Sequence, residues 1–124
     1  MGVILVVDDE PVTQLMLGLM LQRSNYTVIT AVDGQEAMNQ LANQKVDLAI
    51  IDVNMPKMDG MTMLQRLRAD KRFENLPVIM FTAQGQDRVR QEATQKGATG
   101  FLTKPASSSE VTSTVARFLT MATA

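Results

Sequence analysis

The sequence predicts an α/β fold, a doubly wound parallel sheet of five strands built as (βα)5. Three observations carry this. Short apolar runs alternate with stretches of helical spacing five times along the chain. Two of the runs, Val3 to Val7 and Val46 to Asp52, are apolar on both faces, as a covered central strand requires. Strands alternating with helices are joined by right-handed crossovers, which place helices on both sides of one sheet.

The first run, Val3 to Val7, ends abruptly on Asp8, Asp9 and Glu10. Pro11 follows, at a position suited to the first turn of a helix. Val12 to Arg23 has helical spacing, with Val12, Leu15, Met16, Leu19 and Met20 expected on the inner face. Leu17 and Leu21 fall off that face, so this helix is apolar nearly all round. Tyr26 to Ala31 reads as the second strand, Asp33-Gly34 as a turn and Glu36 to Ala42 as a short helix. The third strand ends at Asp52, and a loop with Pro56 and Gly60 leads to a helix marked by Met61, Leu64 and Leu67. Pro77 to Phe81 forms the fourth strand, running into Thr82. A thinner helix carried by Val89 and Ala93 stops near Gly97, and Gly100 to Leu102 makes the fifth strand. Ser107 to Ser109 offer caps for a last helix through about Met121, with Val111, Val115 and Phe118 inward.

Composition narrows the chemistry. At 124 residues the chain is read as a single domain, residues 1–124. It has no Cys and no His, which excludes disulfides, thiolate or imidazole metal sites and histidine acid–base catalysis. Any metal must be a hard cation on oxygen ligands, such as Mg²⁺. A formal net charge of −1 offers no global field for nucleic acid. No apolar run reaches the ~20 residues of a membrane helix, so a soluble, cytoplasmic protein is expected.

Ligands of such sheets bind outside the carboxyl ends of the strands. Those ends carry Asp8 and Asp9, Asp52, Thr82 and, just past the fifth strand, Lys104. Three carboxylates in one crevice repel one another, and a divalent cation relieves that repulsion. Lys104 adds a second positive charge and Thr82 a hydroxyl donor. Together they describe an oxyanion pocket beside a metal, as phosphoryl transfer requires. Asp52, ending the middle strand, is the best placed carboxylate nucleophile, and Asp8 and Asp9 are better placed to hold metal. Taken singly, Asp8, Asp9 and Asp52 are ordinary caps, Thr82 an ordinary strand-end hydroxyl and Lys104 a surface cation; their conjunction at successive strand ends argues otherwise. Asp33 and Asp59, each beside a Gly, are read as turn residues without chemistry.

Four motifs are specific in combination: Val6-Val7-Asp8-Asp9-Glu10, the stretch from Asp52-Val53-Asn54 through Met55-Pro56-Lys57 to Met58-Asp59-Gly60, Phe81-Thr82-Ala83, and Gly97 through Lys104-Pro105. With them the chain, from Val3 to about Met121, closely resembles the receiver domains of two-component response regulators, which have the flavodoxin-like (βα)5 fold. The resemblance implies that Asp52 is the phosphoacceptor. Asp9 is then a direct ligand of Mg²⁺ (or Mn²⁺), Asp8 assists through water and the backbone carbonyl of Asn54 completes the protein ligands. It implies that Thr82 and Lys104 grip the phosphoryl oxygens and that Lys104-Pro105 is cis. Thr82 and Phe101 are implied as the switch pair that alters the face of the fourth helix, fifth strand and fifth helix. Asn54 and Gln84 match positions that tune dephosphorylation.

The implied activity is self-catalysed phosphotransfer and autodephosphorylation, not turnover of external substrates. The implied partners are a histidine kinase or histidine phosphotransfer protein, and a downstream protein target or an effector domain outside this sequence. Direct contact with nucleic acid or membrane is not implied. The acid–base pattern of the winged-helix subfamily is absent after Gly97-Ala98, so a single-domain, chemotaxis-like relay is the nearer comparison. A haloacid-dehalogenase-type phosphatase would need an acid two residues beyond its nucleophile, where this chain has Asn54. A phosphorylation-silent binding module would have no use for the intact set Asp8, Asp9, Asp52, Thr82 and Lys104. A flavodoxin-type cofactor protein would not end its first strand in acids, which repel a flavin phosphate.

Overall fold

The computed structural model describes residues 2–55, 57–83 and 87–123. Five strands and five helices alternate: β1 (Val3–Val7), α1 (Pro11–Arg23), β2 (Thr27–Ala31), α2 (Gly34–Asn43), β3 (Leu48–Asp52), α3 (Gly60–Ala69), β4 (Val78–Thr82), α4 (Asp87–Gln95), β5 (Gly100–Thr103) and α5 (Ser108–Thr123). The strands form one parallel sheet in the order β2-β1-β3-β4-β5. The chain winds from β1 to one side, then crosses to the other, so the switch point lies between β1 and β3.

Alternation along each strand builds two cores. Leu5, Val7, Ala49, Ile51, Val78 and Met80 face one layer, which contains Leu41 of α2, Leu64 of α3 and Ala93 of α4. Ile4, Val6, Leu48, Ile50, Ile79 and Phe81 face the other, with Leu17 and Leu21 of α1 and Val111 and Val115 of α5. This two-sided burial is why β1, β3 and β4 read as unbroken apolar runs.

The expected inner face of α1 is corrected. Val12, Leu15, Met16 and Leu19 are exposed, and Leu17 and Leu21 are the buried pair. Met20 is half-buried against the α1/α5-side core. An apolar periphery selects no face by periodicity. The seating of α1 is set instead at its start: Gln14 Nε2 donates to the carbonyl oxygens of Asp8 at 2.6 Å and of Ala31 at 3.1 Å, which turns positions 14, 17 and 21 to the sheet.

Asp33 and Asp59 are more than turn residues. Asp33 Oδ1 accepts the N–H of Glu36 and Asp59 Oδ1 that of Thr62, each at 2.8 Å, so they are the N-caps of α2 and α3. Ser107 and Glu110 exchange reciprocal bonds at 3.1 Å, a capping box that starts α5.

Candidate functional site

The carboxyl ends of β1, β3 and β4, with the segment after β5, converge on one crevice. Asp8, Asp52 and Thr82 are buried there. Asp8 follows β1 with its N–H bonded to the Ala31 carbonyl (3.0 Å), and Lys104 follows β5 with its N–H on the Thr82 carbonyl (2.8 Å). The peptide between Lys104 and Pro105 is cis, as the resemblance implies.

The Lys104 ammonium is the centre of the site. Its Nζ lies 2.9 Å from Asp8 Oδ2, 3.4 Å from Asp52 Oδ2 and 3.4 Å from Glu10 Oε1. It also stands 5.3 Å from the centre of the Phe81 ring. Burial works against the charged ammonium, but the hydrogen bond to Asp8 and the charges of Asp52 and Asp8 outweigh it and hold its pKa above the usual lysine value. Asp52 moves the opposite way for a carboxylate in an ion pair. Burial raises its pKa, with the Asp8 charge adding to the rise, against the Asn54 N–H and Lys104, which lower it. The net rise is chiefly the cost of burying the carboxylate.

The loop after β3 is shaped around Asp52. Asp52 Oδ1 accepts the Asn54 N–H at 3.1 Å, and the Gly60 N–H returns to the Val53 carbonyl at 2.9 Å. A Cβ on Gly60 would collide with the Asp52 carbonyl oxygen, so only glycine lets the start of α3 lie this close to the strand end.

Among the described residues, the acids whose oxygens converge within 4.8 Å are Asp8, Glu10 and Asp52. An octahedral Mg²⁺ at about 2.1 Å from each ligand separates its oxygens by roughly 3–4 Å, so this all-oxygen set fits a hard cation with little contraction. Asp9 is exposed and outside that group. Glu10 is the site residue that sequence reasoning passed over; its signal was the third consecutive acid after β1.

Phe101 is half-buried against the α2–α4-side core, and the Arg90 guanidinium sits 5.1 Å from its ring centre. Phe101 pairs in register with Met80, two residues before Thr82 on β4. Asn54 is exposed beside Asp52. Gln84 and Pro56 lie outside the described residues.

An acid crevice bridged by a lysine, at the switch point of a five-stranded parallel sheet, is the arrangement of a signalling receiver. The chain belongs to the response regulator receiver domain family, whose model matches residues 4–116. It is 40% identical over 116 residues to the alkaline phosphatase synthesis transcriptional regulatory protein PhoP of Bacillus subtilis, covering 94% of this chain and 48% of that protein. The chain thus spans about half of that regulator's length. The chemotaxis protein CheY4 of Vibrio cholerae superposes with a TM-score of 0.91 at 34% identity, covering 95% of this chain and 98% of that one. The receiver domain of the sensor histidine kinase PA1611 from Pseudomonas aeruginosa, which has magnesium coordinated in its active site cleft, superposes with a TM-score of 0.88 at 28% identity, covering 96% and 98%.

Proposed function

We propose that this receiver domain accepts a phosphoryl group on Asp52 from a histidine kinase or histidine phosphotransfer protein, with Mg²⁺ (or Mn²⁺) bound beside it. The observation that carries this reading is the Asp52 carboxylate itself. It is buried, raised in pKa, 3.4 Å from Lys104 and within 4.8 Å of Asp8 and Glu10. Such a carboxylate is short of positive charge, and a divalent cation supplies it. The magnesium of the PA1611 receiver domain supports the same choice of ion.

In the transfer, an Asp52 oxygen attacks phosphorus as the bond from phosphorus to the donor imidazole nitrogen breaks. The product is an acyl phosphate on Asp52 and a free donor histidine. Asp8, Asp9, Asp52 and the Asn54 carbonyl are the metal ligands in this reading, and Lys104 and Thr82 bind phosphoryl oxygens. When bound, the cation neutralises charge on those oxygens. Water later hydrolyses the acyl phosphate, returning the carboxylate and inorganic phosphate, at a rate tuned by Asn54 and Gln84. The chain is not an enzyme on external substrates.

Phe101 and Thr82 form the switch of the α4-β5-α5 face, which controls a downstream protein target or an effector domain. The exposed apolar residues of α1, Leu15, Met16 and Leu19, suit the docking of the donor. Action in the cytoplasm belongs to the same reading; no helix among the described residues is long and apolar enough to cross a membrane.

The test is intact mass after incubation with acetyl phosphate, with Mg²⁺ or with EDTA. A single phosphoryl adduct that requires metal and is lost in Asp52→Ala is the expected result. No adduct in the folded protein under any condition overturns the assignment.

A further inference from the structure

Glu10 takes part in no hydrogen bond that starts or stabilises a helix through its side chain; it is committed to Lys104. An ammonium has three donors, and Lys104 has three carboxylates around it, which differ in burial. The Asp8 and Asp52 side chains are 1% and 6% exposed, and that of Glu10 is 63% exposed. The four groups sum formally to −2, the charge that a divalent cation cancels.

Such a cation and Lys104 want the same atoms. Asp8 Oδ1 already accepts the Glu10 N–H at 2.9 Å, and Oδ2, 2.9 Å from Lys104 Nζ, is the oxygen for which a cation competes with the ammonium. Asp52 is in the same position: Oδ1 accepts the Asn54 N–H and Oδ2 faces Lys104. An ammonium displaced from both has few refuges. The Phe81 ring lies on one side, and a cleft of about 350 Å³ lined by Met16, Leu17, Met20 and Pro105 on another. An ammonium is costly to leave in such surroundings without an acceptor. Glu10 is the remaining carboxylate, and its backbone is fixed at the N-cap of α1 by Asp8 and the adjoining Pro11.

We propose that Glu10 is a positioning residue that retains the Lys104 ammonium at the rim of the crevice when a divalent cation occupies Asp8 and Asp52. Lys104 then stays within reach of an oxyanion on Asp52 and is not lost to solvent. The inference rests on the reading of Asp52 as the phosphoacceptor, and adds to it a residue that acts only through Lys104.

The experiment is ¹⁵N-lysine NMR of the Lys104 ammonium, assigned by its loss in Lys104→Arg, in wild type and Glu10→Gln with and without saturating Mg²⁺. In wild type, Mg²⁺ shifts the signal and leaves it protected from hydrogen exchange. In Glu10→Gln, exchange accelerates about tenfold or more, and only with Mg²⁺ bound. With acetyl phosphate at saturating Mg²⁺, Glu10→Gln slows adduct formation about three- to tenfold, and Glu10→Asp recovers part of the rate. In a Lys104→Gln background, the Glu10 substitution has no further effect. The inference is overturned if Mg²⁺ leaves the wild-type signal unmoved, if protection is lost equally in both proteins, or if Glu10→Gln slows the reaction equally without Lys104. Should no variant form an adduct, the phosphoacceptor reading fails, and the ammonium exchange still decides the role of Glu10.

Discussion

The Arg68 guanidinium donates to the carbonyl oxygen of Gly97 at 2.9 Å, tying the end of α3 to the connection between α4 and β5. Its Nη1 reaches the Phe73 carbonyl at 2.9 Å, and its Nη2 lies 3.4 Å from Thr99 Oγ1, which itself accepts the Val78 N–H. Gly97 has a φ of +101°, and a Cβ there would press on the Arg68 stem. Burial lowers the Arg68 pKa, and among the described residues no carboxylate pairs with it. Two carbonyl oxygens and one hydroxyl oxygen hold the charge.

Arg68→Met keeps the stem, removes the guanidinium from the Gly97 carbonyl and leaves the Phe73 carbonyl with the Leu76 N–H alone. It is expected to cost about 1–3 kcal/mol, read as a lower urea midpoint at unchanged slope. Arg68→Lys does not restore this, because one ammonium cannot span the acceptors that a planar guanidinium reaches.

Asp52→Asn is expected to stabilise the metal-free protein at pH 7, by about 1 kcal/mol. Lys104 is not orphaned by the change, since Asp8 and Glu10 remain beside it. The sign follows from the raised pKa. Below the ordinary value of 3.8, Asp52 is protonated folded or unfolded and carries no penalty. As pH rises from there through the higher folded pKa, the folded state binds more protons than the unfolded one, and wild type loses stability relative to Asp52→Asn. The gap between the two urea midpoints therefore opens with pH and closes at about pH 3; a gap that is constant with pH refutes this. Saturating Mg²⁺ raises the stability of wild type more than that of the variant.

Gly60→Ala forces a methyl against the Asp52 carbonyl oxygen and within 2.9 Å of the Val53 Cα. The backbone at the end of β3 must shift. A loss of about 3 kcal/mol is expected. Phosphoryl adduct formation should also fall, because the displaced atoms belong to Asp52, the proposed phosphoacceptor.

The facing of α1 has its own test. Met16 is 48% exposed and Leu17 is 3% exposed, one position apart. Met16→Glu should leave the denaturation midpoint within about 0.5 kcal/mol of wild type. Leu17→Ala should cost about 2–5 kcal/mol. Comparable losses at both positions would mean that α1 is seated differently.

Much of the fold is legible along the chain because each central strand is covered on both faces. Val3 to Val7 and Leu48 to Asp52 announce themselves as unbroken apolar runs, and the acids that end them mark the crevice. The same signal fails for α1, where apolar residues ring the helix and no face stands out. Asp33 and Asp59 looked like turn residues beside glycines because an N-cap and a turn draw on the same short acceptor side chains.

The order of strands and helices, the absence of imidazole and thiol ligands, and the positions of Asp8, Asp52, Thr82 and Lys104 at strand ends were determined by the sequence itself. Local periodicity and turn chemistry need no knowledge of distant neighbours. Which side of α1 meets the sheet, that Glu10 and not Asp9 reaches Lys104, and that Arg68 clamps Gly97 were decided only by the tertiary structure. Each depends on where segments far apart in the chain bring their polar atoms, and single-chain spacing carries no record of that.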